Sequence, residues 1–150
     1  MTATSSDTRS LQPVIIVLAY GLIYLALDYV SYLKPYGVFG VTPWNPQSGL
    51  NVALIYLGGG IYGPAVLIAA AVADYVWRGG PLTWPLELAS SMALGLVYIA
   101  AGVALRRMSD FDPRLRTSSD VMILIAVACA TAALSAVLYT LVISIGGELG

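Results

Sequence analysis

The sequence is dominated by apolar runs that are almost free of charged side chains. Residues 14–33 form a run of 20 residues in which Asp28 is the one acid, and residues 121–145 form a run of 25 residues without any charge. A helix of 20 residues is about 30 Å long, which matches the hydrocarbon core of a bilayer. With 59% hydrophobic and 10% charged residues, the chain is too apolar for a water-soluble protein with a polar outer face. The sequence therefore predicts an all-α, polytopic integral membrane helical bundle.

The hydropathy pattern predicts about five transmembrane helices, near residues 14–33, 48–58, 62–77, 85–105 and 121–145. The second and third are separated by Gly58-Gly59-Gly60 and Gly63-Pro64, where a helix is weakest. The alternative is a single helix over residues 50–77, which would be about 42 Å long and would give four spans. We expect a membrane domain over residues 12–146 after a flexible cytoplasmic tail at 1–11, with Pro13 in the first helical turn.

The basic residues predict the orientation. The segment "RRMSDFDPRLR" carries Arg106, Arg107, Arg114 and Arg116, the densest basic cluster of the chain, so the 106–118 loop and the amino terminus are predicted to be cytoplasmic. Five spans then place the carboxyl terminus outside, with five basic residues inside and two outside. A four-span arrangement with an external amino terminus gives the same division. The arginine loop fits a topology signal, and a lipid-headgroup site is the alternative.

The chain offers little that resembles catalytic or metal-binding chemistry. It has no histidine and one cysteine, Cys129, in an apolar run, so we expect no zinc site, no Cys/His nucleophile pair and no disulfide. The segment "LGGGIYGP" lacks the Lys-Ser/Thr of a phosphate-binding loop and is better explained as a turn between helices. The net charge of −1 does not favour nucleic acid as a partner. We therefore expect a protein that is not an enzyme and has no cofactor or metal.

Several polar residues lie inside or at the ends of the predicted spans. Tyr20, Tyr24, Asp28 and Tyr32 recur every four residues and share one helical face, which should contact protein or water. Asp74 and Arg78 are one turn apart and can form an ion pair. Glu87 lies in the first turn of its span, where its charge complements the helix dipole.

Small residues predict two close helix contacts. One face of the fourth span runs from Glu87 through Ser91, Gly95, Tyr98 and Gly102. The fifth span carries the series Ala128, Ala132 and Ala136. Small side chains let membrane helices approach closely, so each face should pack tightly against a neighbour.

The predicted topology brings polar and aromatic residues to the extracytoplasmic helix ends, where they could line a shallow ligand pocket. Around "TPWNPQSG", Pro43 and Pro46 impose extended backbone on the residues before them, and Ser48 can cap the following helix. Such irregular backbone near the membrane must be buried in protein or face water. An interfacial aromatic belt explains the tryptophans equally well. The candidate ligand-binding residues are Asp28, Trp44, Asn45, Asp74, Arg78, Trp84 and Glu87.

The segment "TPWNPQSGLNVALIYLGGGIYGPAVLIAAAVADYVW" resembles the signature region of the first class of MASE-type membrane-associated sensor domains. The matching positions are Trp44, Pro46, Gly49, Gly60, Pro64 and Asp74, with Pro43 beside them. The resemblance implies a multispan input module of bacterial signalling proteins, placed before a histidine kinase or diguanylate cyclase domain. That family usually has about eight spans, so this chain is expected to be a fragment or a short relative that needs a partner. The terminal "GGELG" is too short to indicate a cyclase domain.

The leading hypothesis is a non-enzymatic sensory module of the bacterial inner membrane that binds a small polar or cationic molecule at an extracytoplasmic pocket. Its expected partners are the lipid bilayer, that ligand, and a second copy or a signalling protein. The runner-up is a small transporter or a substrate-binding subunit of one, because short, Gly/Pro-interrupted helices and intramembrane acids also fit that class. A purely structural assembly subunit is the third possibility.

Overall fold

The computed structural model describes residues 7–32, 45–78 and 83–145. These residues form five α-helices and one 3-10 turn, without a strand in the described ranges. The helices are α1 (Asp7–Tyr32), α2 (Pro46–Gly58), α3 (Gly63–Arg78), α4 (Trp84–Arg107) and α5 (Ser118–Ile145), and the 3-10 turn is Gly60–Tyr62. The all-α membrane bundle predicted from the sequence is therefore confirmed, with a helix in each predicted region.

The predicted number of five spans is corrected to four. The segments long and apolar enough to cross a bilayer are Gln12–Ser31, Gly60–Trp77, Trp84–Arg107 and Ser118–Val142. Helix α2 has 13 residues and is only about 20 Å long, so it is too short to cross by itself. The single helix over residues 50–77 does not form either, because the chain breaks at Gly59, whose φ of 89° favours glycine.

Two predicted helix starts are also corrected. Helix α1 begins at Asp7, so residues 7–11 are helical rather than part of a flexible tail, and Pro13 lies inside the helix instead of in its first turn. Helix α2 begins at Pro46, in the first helical turn where proline is tolerated. Its N-cap position is Asn45, so Ser48 is not the cap, and the Ser48 hydroxyl donates to the Asn45 carbonyl.

Contacts between the helices fix their directions. Helix α2 is antiparallel to α1, because Asn51 meets Tyr20 whereas Gln47, one turn earlier, meets Asp28. Helix α3 is antiparallel to α4, because its first residue, Gly63, lies near Ile99, whereas Asp74 lies near Ser91. Ile55 of α2 lies against Gly102, and Gly59 lies beside Arg106 at the end of α4. Thus α2 and α3 form a helical hairpin whose turn lies level with the carboxyl end of α4.

The predicted small-residue face of α4 packs closely against this hairpin. A Cβ added to Gly102 would lie 2.6 Å from the Ile55 Cβ and 3.0 Å from the Val52 carbonyl oxygen. A Cβ on Gly95 would collide with the Leu67 side chain. Ser91, Gly95 and Gly102 are all buried, so the close approach predicted for this face is confirmed.

Helix α5 packs mainly against α4 and is otherwise open. Ala128, Ala132 and Ala136 are exposed, so the close packing predicted for this series does not form within the described chain. These three alanines instead line a large cavity. Small residues therefore form a close helix contact on α4, whereas on α5 they line a cavity.

Candidate functional site

A buried polar cluster joins α1 to the first two turns of α2. The Gln47 amide nitrogen donates to Asp28 Oδ1 at 2.6 Å, and the Gln47 amide oxygen lies 3.2 Å from the Ser31 hydroxyl, whose one proton it shares with a backbone carbonyl of α1. One turn deeper, the Tyr20 hydroxyl donates to Asn51 Oδ1 at 2.7 Å. Only 1% of the Asp28 and Asn51 surfaces remains exposed. Such hydrogen bonds let polar groups remain in a membrane interior, where desolvation would otherwise be costly.

The tyrosine and aspartate stripe of α1 faces this cluster. Tyr20, Tyr24 and Asp28 are buried, and the two tyrosine rings lie 5.9 Å apart between centroids. The prediction that this stripe contacts protein or an internal cavity is confirmed for these three residues. The Tyr32 side chain lies outside the described part of the chain.

A small polar cavity of about 70 Å³ lies among α1, α2, α3 and α4. Asp28 and Asp74 both line it, together with Asn45, Asn51 and Ser91. The Ser91 hydroxyl donates to Asp74 Oδ2 at 2.7 Å and thereby joins α4 to α3. The cavity has room for at least one water molecule and offers it several polar partners.

A second cavity, of about 750 Å³, lies between α2, α4 and α5. Its volume is within the range of ligand-binding pockets. Asn45, Asp74, Leu94 and Tyr98 line both cavities, so the two share a wall. The other polar residues on its lining are Ser48, Tyr56, Glu87, Ser90, Thr131, Ser135 and Tyr139, and the apolar residues include Val52, Leu57, Leu105, Leu124 and Val127.

The loop between α4 and α5 closes one end of the large cavity. Phe111, Pro113 and Leu115 contribute to its lining, and the Phe111 ring packs edge-on against Tyr56 of α2 at 5.6 Å between centroids. The carboxylate of Asp120 holds the loop in place by accepting hydrogen bonds from the backbone N–H groups of residues 112 and 117 and from the Thr117 hydroxyl.

Arg106 forms hydrogen bonds to α2 in addition to carrying one of the positive charges of the arginine-rich loop. Its Nη1 donates to the carbonyl oxygens of Tyr56 at 3.1 Å and Leu57 at 3.2 Å. These carbonyls belong to the last turn of α2, where helical partners run out and a positive charge is favourable. The guanidinium thus caps α2 and fixes the hairpin turn to the end of α4.

The structure brings some of the predicted site residues together and separates others. Asp28, Asn45 and Asp74 share the small cavity, and Asn45, Asp74 and Glu87 share the large one. Trp84 is 76% exposed and lines neither cavity. Trp44 and Pro43 lie outside the described residues, as does the Arg78 side chain with its predicted ion pair to Asp74.

The motif glycines and prolines shape the helices around the site. Pro46 opens α2, Gly49 lines the large cavity, Gly60 begins the 3-10 turn, and Pro64 is the second residue of α3. The site itself reaches deeper than the shallow pocket predicted at the helix ends. Both cavities extend to Tyr98, which lies about 21 Å along α4 from its first residue.

Sequence reasoning missed Gln47 and Asn51, which make the main contacts to α1. The sequence does contain a pattern that identifies them, because Gln47, Asn51 and Ile55 recur every four residues and form the buried face of α2. The buried hydroxyls of Ser31 and Ser135 were missed as well. No comparable periodic pattern singles out either serine.

Comparison of the chain with protein-family models, with curated proteins and with solved structures gives no significant match. The resemblance to MASE-type sensor domains therefore stays a prediction.

Proposed function

We propose that this chain is a non-enzymatic, ligand-binding sensory module of bacterial signal transduction, as in the MASE-type domains that its sequence resembles. It would lie in the plasma membrane with its arginine-rich loop in the cytoplasm. The observation that carries this proposal is the wall shared by the two cavities. A ligand in the large cavity would touch Asn45 and Asp74, which also line the polar cavity among α1 to α4.

The contacts around this wall provide a physical route from binding to helix movement. Asp74 is bonded to Ser91, and Asn45 immediately precedes the turn in which Gln47 holds Asp28. A ligand that bound one arrangement of these bonds more tightly than another would shift the population of helix packings. An output domain or partner connected to α1 or α5 would read that shift.

The half-length helix α2 favours a second function, that of a small transporter or its substrate-binding subunit. Its amino-terminal turn lies inside the bundle beside two acids, and the chain breaks at Gly59. Broken helices with polar ends inside the membrane are typical of transporter substrate sites. A transporter would move its ligand across the bilayer, whereas a sensor would only bind it.

The test uses the full chain in lipid nanodiscs and in proteoliposomes. A panel of small polar, cationic and amphiphilic compounds is first screened for binding by thermal unfolding. For each compound that binds, we expect a ligand-dependent change in disulfide cross-linking between cysteines introduced at the α1–α2 contact, in a Cys129→Ala background. Asp28→Asn and Asp74→Asn should each weaken this response while leaving membrane insertion unchanged.

Flux measurements separate the two functions. A sensor should show no ligand uptake above that of protein-free liposomes, whereas saturable uptake would favour the transporter. An unaltered cross-linking response in both aspartate variants would contradict the proposed site. If these variants changed only oligomer stability, the chain would be a structural assembly subunit.

A further inference from the structure

We propose that the half of the large cavity beside the α4–α5 loop is a binding site for one anionic phospholipid. One acyl chain of the lipid lies in the cavity, and the phosphate lies at the loop beside Arg114. This half lies away from Asn45 and Asp74, so the lipid site goes beyond the proposed sensory function and does not depend on it. The lining of this half, its width, its opening to the side and the charge of the loop support the assignment.

The cavity is apolar where it approaches the loop. Glu87 lies in the first turn of α4 and Leu105 in its last, about 27 Å apart along the helix, and both line the cavity. Half of the hydrocarbon core of a bilayer is about 15 Å thick, which extends along α4 from Arg107 to about Val97. The lining residues on α4 and the loop within this depth are Tyr98, Leu105, Phe111, Pro113 and Leu115, and those on the facing parts of α2 and α5 are Tyr56, Leu57, Leu124, Val127 and Ala128. A hydrocarbon chain can pack here without desolvating a charged group, whereas a polar ligand would lose its partners.

The width of the cavity excludes a helix as its occupant. A volume of about 750 Å³ over a length of about 27 Å gives a mean cross-section of about 28 Å². A helix with its side chains is about 10 Å across and so has a cross-section of about 80 Å². The cavity therefore has room for a single hydrocarbon chain but not for a helix of a partner or of a second copy.

The cavity opens sideways between α2 and α5. Leu57 of α2 is 75% exposed although it lines the cavity. Ala128 and Ala132 of α5 also line it and are exposed. In a bilayer this opening faces the surrounding lipid. An acyl chain can therefore enter from the side while its head group stays at the membrane surface.

The α4–α5 loop places arginines next to residues that line the cavity. Pro113 and Leu115 line it, whereas Arg114 and Arg116 alternate with them and are exposed. Leu115 has a φ of 51°, which is rare for a bulky side chain, and its backbone N–H donates to the Asp112 carbonyl at 2.9 Å. Unusual backbone of this kind persists where the surrounding structure requires it, as it often does at ligand sites.

Arg114 is the arginine of this loop best suited to bind a phosphate. Arg106 already donates to the carbonyls at the end of α2, and Arg116 Nε lies 3.6 Å from a carboxylate oxygen of Asp112. The Arg114 side chain makes no hydrogen bond or ion pair among the described residues. Residues 106–120 contain four arginines and three aspartates, which leaves a net charge of +1. An anionic head group complements this charge, and a guanidinium can bind two phosphate oxygens at once.

Photolabelling of the full chain in phosphatidylcholine nanodiscs tests this site. The probes are phosphatidylglycerol and phosphatidylcholine with the same diazirine-bearing acyl chain, added separately in equal small amounts. Mass spectrometry compares labelling at the lining positions Leu124 and Ala128 with labelling at Ala126 and Ala130, which are exposed on α5 but do not line the cavity. We expect the phosphatidylglycerol probe to label the lining positions about fivefold more, the factor expected for one basic residue beside an anionic lipid. The other two positions should show no such preference.

Two arginine variants locate the head group. Arg114→Gln should reduce the preference for phosphatidylglycerol to less than twofold. Arg107→Gln removes the same charge from the same loop, but Arg107 lies about 200° around α4 from the lining residue Leu105. The preference should therefore persist in this variant.

Two tryptophan variants locate the acyl chain. Ala128→Trp would fill the cavity and should abolish labelling at Leu124. Ala130→Trp adds the same bulk to a position that does not line the cavity, so labelling at Leu124 should persist. Thermal unfolding checks that both variants are folded, and Arg114→Gln decides the question if Ala128→Trp is not.

The outcomes separate the lipid site from the proposed function. Equal labelling of the lining positions by both probes would overturn the lipid site, as would an unchanged preference in Arg114→Gln. A dimer without labelling at the lining positions would identify the cavity as an interface between copies and would also overturn it. The expected labelling in a protein whose α1–α2 cross-linking responds to no compound would support the lipid site and overturn the sensory function.

Discussion

The two faces of α4 meet their neighbours in opposite ways. Towards α2 and α3, glycines let the backbones approach closely, and a buried polar cluster lies behind them. Towards α5, larger residues such as Leu94, Tyr98 and Leu105 line a cavity whose far wall is made of exposed alanines. One helix therefore separates a tightly packed half from an open half.

This difference separates structural positions from positions available to a ligand. In the packed half, polar side chains of one helix are hydrogen-bonded to another helix, as Asn51 is to Tyr20 and Asp74 is to Ser91. In the open half, the Ser135 hydroxyl lies beside that of Tyr98 and next to free volume, without a hydrogen bond of standard geometry among the described residues. Substitutions should consequently act on stability in the first half and on ligand binding in the second.

Gly102→Ala should have the largest effect on stability. The added Cβ would lie 2.6 Å from a Cβ and 3.0 Å from a backbone oxygen of α2, neither of which can move away easily. We expect the free energy of unfolding in nanodiscs to fall by about 3 kcal/mol, the upper end of the usual cost of overpacking. The matched control is Gly21→Ala in α1, where no atom lies within 4 Å of the added Cβ. Equal stabilities of the two variants would show that α2 and α4 are not in close contact.

Asp28→Leu should have the next largest effect. It removes the acceptor of the Gln47 amide, leaving a buried donor without that partner, so we expect a loss of about 2 kcal/mol in the free energy of unfolding. The double variant Asp28→Leu/Gln47→Leu removes both polar groups and should recover part of this loss. If the double variant loses the sum of the two single effects, measured by thermal unfolding in nanodiscs, the two side chains are not coupled.

The contrast between the halves also explains what the sequence could predict. Periodicity correctly placed Tyr20, Tyr24 and Asp28 on a buried face, because helical spacing determines which residues share a side. Periodicity could not distinguish the small residues of α4 from those of α5. Small side chains are found both where two helices approach closely and where a helix lines a cavity. Whether Gly102 meets a neighbour and Ala132 does not depends on the lengths and angles of other helices. Nor could the sequence predict how deeply the site reaches into the helix bundle, because that depth depends on the short helix α2.

Arg106→Ala should have a moderate effect that Arg107→Ala lacks. Both substitutions remove one positive charge from the same loop, so their effect on topology should be equal. Only Arg106 is seen to bond the carbonyls at the end of α2, and losing this cap should cost about 1 kcal/mol. Thermal unfolding measures this difference, and hydrogen exchange at residues 55–59 locates it. Equal losses in both variants would mean that the arginines act through charge alone.

Ser135→Ala should have the smallest effect on stability, and Ser91→Ala provides the comparison. The Ser91 hydroxyl donates to Asp74 across two helices, and losing such a bond within a membrane costs about 0.6 kcal/mol on average. The Ser135 hydroxyl lies beside that of Tyr98 without a hydrogen bond of standard geometry among the described residues, so its removal should lower the free energy of unfolding by less than the removal of the Ser91 hydroxyl. A substantial loss of stability in Ser135→Ala without ligand would instead assign this hydroxyl to the packing of α5 on α4.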